Sequence, residues 1–166
     1  MKVLVAYYSR TGVTRSAARA ICEAIGASDG AEATVEEVVD TKPRKGTAGY
    51  MVAGKDAMLK RDTVIAPLSA DVAAFDVVVI GTPVWAFTMA PAIRAFCNEH
   101  GASVGKVAAF CTMGGSGDQR TFKHIEEALA KPLIATLTLI DKRVKSVDEQ
   151  EFVAKVKAFA QQVVTS

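Results

Sequence analysis

Short apolar runs alternate with longer amphipathic segments along the whole chain. Five runs have the length and composition of strands, at residues 2–8, 33–38, 75–81, 106–111 and 132–139. The first, third and fourth are almost continuously apolar, which is typical of strands buried on both faces of a parallel sheet. Helical periodicity marks five longer segments, at residues 13–25, 47–60, 90–100, 119–130 and 148–164. The alternation predicts an α/β fold, a three-layer α/β/α sandwich around a five-stranded parallel sheet, within one domain of residues 1–166.

The last predicted helix carries an apolar stripe. Phe152, Val156, Phe159 and Val163 recur at i, i+4, i+7 and i+11, whereas charged and amide side chains occupy the other faces. Apolar residues at this spacing share one face of a helix. We therefore expect the stripe to pack into the core and not to contact a cofactor.

The segment between the second and third predicted strands is basic. Six Lys or Arg residues and two Asp residues lie between positions 42 and 62, a local excess of four positive charges. A solvated helix face is the simpler interpretation of such a block. The alternative is that the 42–61 segment attracts an acidic partner or the phosphates of a nicotinamide cofactor.

The chain as a whole carries almost no net charge. Its 166 residues are 50% apolar and 23% charged, with a formal net charge of +2 at pH 7. This apolar content excludes a disordered chain, and the charge gives no global electrostatic basis for binding nucleic acid or an anionic membrane. The longest uncharged stretch, 77–93, is interrupted by glycine and proline and is shorter than the roughly 20 apolar residues of a membrane span.

The cysteines and the N-terminus predict a cytoplasmic protein. Cys22, Cys97 and Cys111 are an odd number without a CxxC pair, so neither a disulfide framework nor a metal site is indicated. Reduced thiols are typical of a reducing compartment. The first predicted strand begins at residue 2, which leaves no room for a signal peptide.

A hydroxyl-rich loop joins the first predicted strand to the first predicted helix. It reads Ser9, Arg10, Thr11, Gly12, Val13 and Thr14. Ligands of an open parallel sheet bind at the carboxyl ends of its strands, and a helix N-terminus favours an anion. The loop therefore predicts a phosphate site; the alternative is that Thr11 or Thr14 merely caps the helix. Because GxxxxGK[ST] and GxGxxG are both absent, the predicted ligand is a phosphate monoester and not a nucleoside triphosphate.

The loop after the third predicted strand is aromatic. It contains Thr82, Pro83, Val84, Trp85, Ala86 and Phe87. Trp85 is the only tryptophan of the chain, and the strand pattern predicts that it is exposed at the ligand-binding edge, where it would offer a flat stacking face to a planar ring. The alternative is that Trp85 and Phe87 fold back onto the core.

The loop after the fourth predicted strand is rich in glycine. Its candidate binding residues are Cys111, Thr112, Met113, Gly114, Gly115 and Gly117. Glycines permit close approach of the backbone to a ligand, so this loop could present N–H and C=O groups to the edge of a heterocycle. The alternative is an ordinary turn in which Asp118 caps the next helix. A phosphate pocket, an aromatic platform and a glycine-rich edge at one end of the sheet together indicate a site for FMN.

The chain resembles the flavodoxin-like family over essentially its whole length. The resemblance rests on the Thr/Ser-x-Thr-Gly-x-Thr pattern after the first strand, matched by Ser9, Thr11, Gly12 and Thr14. It implies strand order 2-1-3-4-5, phosphate bound by residues 9–14, and a flavin ring flanked by the 82–88 and 111–117 loops. Since no long insertion splits the fifth strand, the chain resembles the short form of the fold.

Two departures bear on function. Electron-carrier flavodoxins are usually strongly acidic and have aromatic residues in both flavin-flanking loops, whereas this chain is at +2 and has Met113 and glycines in the later loop. An open flavin face suits an oxidoreductase that passes hydride or electrons from NAD(P)H to a quinone-like or other small acceptor, with no catalytic side chain of its own. The alternatives are an electron carrier between a reductase and a protein acceptor, or a cofactor-free regulatory module of the same fold.

Three other functions fit the residues less well. A phosphatase loop needs a cysteine and an arginine separated by five residues, but eight residues separate Cys111 from Arg120, so a packed or cofactor-lining thiol is the better interpretation. His100 and His124 lack the further ligands of a metal site. A phosphoacceptor signalling domain would need clustered acids after the first strand and an aspartate after the third, which this chain does not have.

Overall fold

The computed structural model describes residues 1–41, 63–141 and 149–166. The predicted helix at 47–60 and the basic 42–61 segment lie outside these ranges. Within them, no helix combines the length and the apolar character needed to cross a membrane.

A twisted sheet forms the middle layer of the fold. Its strands are β1 (Lys2–Tyr7), β2 (Glu32–Glu37), β3 (Val77–Trp85), β4 (Thr88–Met89), β5 (Lys106–Met113) and β6 (Leu133–Ile140). The helices are α1 (Val13–Gly26), α2 (Pro91–His100), α3 (Asp118–Leu129) and α4 (Glu149–Thr165), and a short 3₁₀ turn spans Val72–Ala74. Each predicted strand, and each predicted helix within the described ranges, is present.

The strand order confirms the topology that the resemblance implies. The parallel strands run in the order β2-β1-β3-β5-β6, and β4 pairs only with β3, antiparallel, off this path. With β4 set aside, the order is 2-1-3-4-5, the flavodoxin-like arrangement. The short strand β4 was not predicted, because it is only two residues long.

The core has two halves, one on each face of the sheet. On one face, Ile21 of α1 packs in the same buried cluster as Val156, Phe159 and Val163 of α4, and Phe152 is partly buried against it. The apolar stripe predicted for the last helix is therefore confirmed as core. On the other face, the apolar side chains of α2 and α3 pack against β1, β3 and β5.

Two strands extend further than the sequence predicted, and both extensions reach the ligand-binding edge. β3 continues past residue 81 to Trp85, and β5 continues past residue 111 to Met113. The two strands stay paired there, with Thr82 opposite Cys111 and Pro83 opposite Thr112. Residues predicted to lie in loops are thus held in rigid backbone, which fixes the position of the side chains at this edge.

Candidate functional site

The loop between β1 and α1 ends at a glycine with a left-handed backbone conformation. Gly12 occupies the N-cap position of α1 with φ 90° and ψ −11°, and α1 begins without a side-chain cap. The N–H of Gly12 donates to Ser9 Oγ (3.1 Å). The alternative in which Thr11 or Thr14 merely caps the helix is therefore wrong.

The predicted loops converge on one cleft at the carboxyl edge of the sheet. Residues from the β1–α1 loop, the end of β3, the end of β5 and the residue after β6 line it: Arg10, Thr11, Val13, Thr14, Pro83, Val84, Trp85, Thr112, Met113, Gly114 and Asp141. All of these except Asp141 are among the binding residues predicted from the sequence.

The cleft is small for a whole nucleotide. It encloses about 200 Å³, compared with roughly 300 to 1,000 Å³ for pockets that bury most of a small-molecule ligand. A ligand as large as a mononucleotide would therefore have one part enclosed and another part lying over the rim.

Several predicted binding residues support the cleft without lining it. Thr82 is fully buried; its hydroxyl accepts from the Ala90 N–H (3.0 Å) and donates to the Pro83 carbonyl (2.9 Å). Thr82 thereby ties β3 to the start of α2. Ser9 and Gly12 bond to each other, and Cys111 has no exposed surface. A direct part for these residues in ligand binding stays a prediction.

The hairpin between β3 and β4 places an aromatic side chain in solvent beside the cleft. Ala86 and Phe87 both have positive φ, at 47° and 61°, and Phe87 is 54% exposed. Two consecutive left-handed residues form the turn that suits a two-residue hairpin, although Asn-Gly is its usual sequence. Gly117 lies directly beneath: a Cβ there would come 3.1 Å from Phe87 Cα. Gly115, by contrast, has no neighbours within 4 Å of such a Cβ.

Trp85 is buried, which corrects the prediction that it is an exposed platform. It is 8% exposed and meets Tyr8 edge to face, with ring centroids 5.4 Å apart and an interplanar angle of 85°. The reason is that β3 continues to Trp85, so the side chain packs with the core. Only its remaining surface lines the cleft, and of the two alternatives for the aromatic pair, Trp85 folds back while Phe87 does not.

Asp141 is the lining residue that the sequence reasoning missed. It directly follows β6, so the rule that ligands bind at the carboxyl ends of parallel strands would have identified it. Asp141 and Arg10, which carry opposite charges, both line the cleft. Arg10 and the α1 N-terminus favour an anion, whereas Asp141 disfavours one near itself and suits hydroxyl donors.

A second arginine of this region, Arg15, is paired with Glu37. Arg15 Nη2 donates to both carboxylate oxygens of Glu37, at 2.9 Å each, and the Tyr7 hydroxyl lies 3.4 Å from the same carboxylate. The hydrogen bond to Glu37 is the main cause that raises the pKa of Arg15, and burial raises the pKa of Tyr7. Arg10 is thus the arginine that lines the cleft, and Arg15 joins α1 to β2.

The buried cysteines have the properties of packing residues and not of nucleophiles. Burial raises the pKa of both Cys97 and Cys111 to about 12. Burial also raises the pKa of the partly buried Cys22. At neutral pH these thiols therefore carry little thiolate in the folded protein. Since the thiolate is the reactive form of cysteine, their reactivity is expected to be low.

We expect the folded Cys22→Ser variant to be unreactive toward a thiol reagent at pH 8 over the time in which Cys22 of the wild type reacts. Unfolding the variant in urea should expose its two remaining thiols, Cys97 and Cys111, to the reagent. Since the folded pKa of both remaining cysteines is raised, their contribution to stability is present below the unfolded pKa of about 8.5 to 9 and is lost as the pH rises toward 12. Fast labelling of Cys111 in the folded variant would contradict the packed arrangement.

Comparisons with known proteins agree with the fold. A family model described as flavodoxin matches residues 2–156. A flavoprotein from Lactobacillus acidophilus, solved in complex with FMN, is 23% identical over 87% of this chain and 96% of its own, with a TM-score of 0.70. A short-chain flavodoxin associated with a bacterial microcompartment is 12% identical over 99% and 97% of the two chains, with a TM-score of 0.65. An oxidised flavodoxin from Bacillus cereus is 15% identical over 99% and 98%, with a TM-score of 0.60. At these identities the structural likeness concerns the fold.

Proposed function

The chain belongs to the flavodoxin family, and on that premise we propose that it binds FMN in the cleft at the carboxyl edge of the sheet and acts as an oxidoreductase. It would pass hydride or electrons from NAD(P)H to a quinone-like or other small acceptor. The observation that carries the proposal is the cleft itself, whose lining combines hydroxyl donors at a helix N-terminus with apolar side chains.

The donor set at one end of the cleft fits a phosphate monoester. Thr11 and Thr14 contribute hydroxyls, Arg10 contributes a positive charge, and α1 directs its N-terminus there. Unpaired N–H groups and the helix dipole favour a negative charge at such a terminus. These residues would bind the phosphate and fix the end of the cofactor.

The apolar lining residues of the cleft fit a planar ring. Val84, Met113 and the remaining surface of Trp85 supply apolar contacts, and Gly114 leaves its backbone open because no atom lies within 4 Å of its Cβ position. When bound, FMN supplies hydride and electron transfer. The chain's part is to hold and orient the ring and to leave one side of it accessible to a donor or acceptor.

We expect the purified apoprotein to bind FMN at one site and to bind riboflavin at least about tenfold more weakly. The reason is that riboflavin lacks the phosphate for which the α1 end of the cleft is suited, and charge-assisted hydrogen bonds are worth about 1.5 to 3 kcal/mol. Titration followed by quenching of flavin fluorescence measures both constants. A chain that binds neither flavin would favour the cofactor-free module, and equal affinities would contradict the phosphate assignment.

An electron carrier is the second candidate, favoured by the match over nearly the full length to a short-chain flavodoxin. An anaerobic titration of the FMN-loaded protein with NADPH separates the two. A reductase loses its flavin absorbance with NADPH alone, whereas a carrier keeps it until a partner reductase is added. The net charge of +2 favours the reductase, because a carrier that docks on basic partners is expected to be acidic.

A further inference from the structure

Two threonine hydroxyls meet at the inner wall of the cleft. Thr14 is in the first turn of α1 and Thr112 is near the end of β5, and their Oγ1 atoms lie 2.8 Å apart. The two residues are 98 positions apart in the chain and are 2% and 4% exposed. Both line the cleft.

The hydrogen bond between them leaves one hydroxyl hydrogen unused. Each threonine hydroxyl carries one hydrogen, and a single bond between two hydroxyls uses only one of the two. Within residues 1–41, 63–141 and 149–166, neither hydroxyl makes a further hydrogen bond. Because a buried donor without an acceptor is costly, this hydrogen calls for an acceptor atom in the cleft.

We propose that Thr112 is a positioning residue for the cofactor phosphate. Through its hydrogen bond it holds the Thr14 hydroxyl at the N-terminus of α1, so that the remaining hydrogen of the pair is donated to an anionic oxygen bound there. The helix N-terminus favours negative charge at the same place. The inference rests on the proposed FMN site and assigns Thr112 to its phosphate end, whereas the sequence placed this residue beside the edge of the ring.

The test compares FMN with riboflavin in the Thr112→Val variant. Valine keeps the shape of threonine and removes the hydroxyl, so the Thr14 hydroxyl loses its orienting partner. We expect the FMN dissociation constant to rise about ten- to hundredfold and the riboflavin constant to change less than about threefold. The FMN-to-riboflavin affinity ratio is the decisive readout, because a loss of packing alone would weaken both flavins alike.

Four further variants complete the design. Thr112→Ser restores a hydroxyl and is expected to recover the wild-type ratio. Thr138→Val is the matched control, since Thr138 lies on the neighbouring strand β6 and donates to Asp118 (2.9 Å) outside the cleft; its ratio should not change. Adding Thr112→Val to the Thr14→Val variant should lower the FMN-to-riboflavin affinity ratio only a little further, because the two hydroxyls act as one unit.

The outcomes separate this inference from the proposed function. If the wild-type chain binds no FMN, the proposed function fails and the inference fails with it. If the wild type binds FMN and prefers it to riboflavin, but Thr112→Val keeps that preference, only the inference is overturned. Equal weakening of FMN and riboflavin by Thr112→Val would also overturn it, because Thr112 would then act on the ring or on packing. Should Thr112→Val fail to fold, the Thr14→Val variant and the serine variant carry the same comparison.

Discussion

Replacing Gly81 with alanine is expected to remove about 3 kcal/mol or more from the free energy of unfolding. A Cβ at this position would lie 2.2 Å from Phe110 Cζ, 2.4 Å from Phe110 Cε1 and 2.9 Å from Tyr7 Cβ. The Phe110 ring is fully buried, so it has no solvent-exposed space into which to move. Something in the closely packed core beside β1, β3 and β5 must shift, and overpacking typically costs about 1 to 3 kcal/mol and more where no atom can move freely.

Urea unfolding followed by tryptophan fluorescence measures the Gly81→Ala effect. The matched control is Gly26→Ala, at the exposed C-terminal end of α1, where no atom lies within 4 Å of the added Cβ; it should leave stability unchanged or raise it slightly. Adding Phe110→Leu to Gly81→Ala should cost less than the sum of the single changes, because it removes the clashing ring atoms. A Gly81→Ala chain with the wild-type urea midpoint would mean that Phe110 moves freely.

Gly81 also illustrates what a sequence pattern cannot reveal. The pattern identifies it as the end of a strand before a turn. In the structure it lies inside β3, paired with Tyr7 and Phe110 on either side, and its missing side chain makes room for the Phe110 ring. The requirement for glycine arises from a ring 29 positions further along the chain, which periodicity cannot report.

The strands and helices could be predicted because their signals are local, whereas the strand order followed from the resemblance to the flavodoxin-like family. Continuous apolar runs mark β1, β3 and β5 as strands buried on both faces, and amphipathic periodicity marks the helices between them. The position of the cleft and most of its lining residues could also be predicted, since residues just after parallel strands meet at one edge of the sheet. That rule identified the residues around Thr11, Trp85 and Thr112, and applied to β6 it would have identified Asp141 as well.

The contacts that define the cleft were not predictable, because they join distant parts of the chain. Nothing near Thr14 in the sequence points to Thr112, yet the two side chains line the cleft together and share a hydrogen bond. The extension of β3 depends on an Ala86–Phe87 turn in which both residues have positive φ, a conformation that local preference would assign to Asn-Gly. This extension is the reason that Trp85 is buried.

Replacing Trp85 with alanine is expected to lower the free energy of unfolding of the apoprotein by about 3 to 5 kcal/mol. Trp85 is 8% exposed, packs in the core cluster that contains Phe96 and Ile80, and meets Tyr8 edge to face. An exposed stacking platform would behave differently, because its removal would weaken FMN binding with little effect on the stability of the apoprotein. The comparison of these two losses therefore decides between the buried tryptophan of the structure and the platform predicted from the sequence.

Phe87→Ala is the matched control for Trp85→Ala. Phe87 is an aromatic residue of the same hairpin, but it is 54% exposed, so its replacement should change the free energy of unfolding by no more than about 0.5 kcal/mol. Urea unfolding of both apoprotein variants is followed by circular dichroism, since Trp85 is the only tryptophan. In the wild type, FMN should also quench the emission of Trp85, because part of its surface lines the cleft. If Trp85→Ala unfolds at the wild-type urea concentration while FMN affinity falls, the stacking role outweighs the packing role and the burial of Trp85 is contradicted.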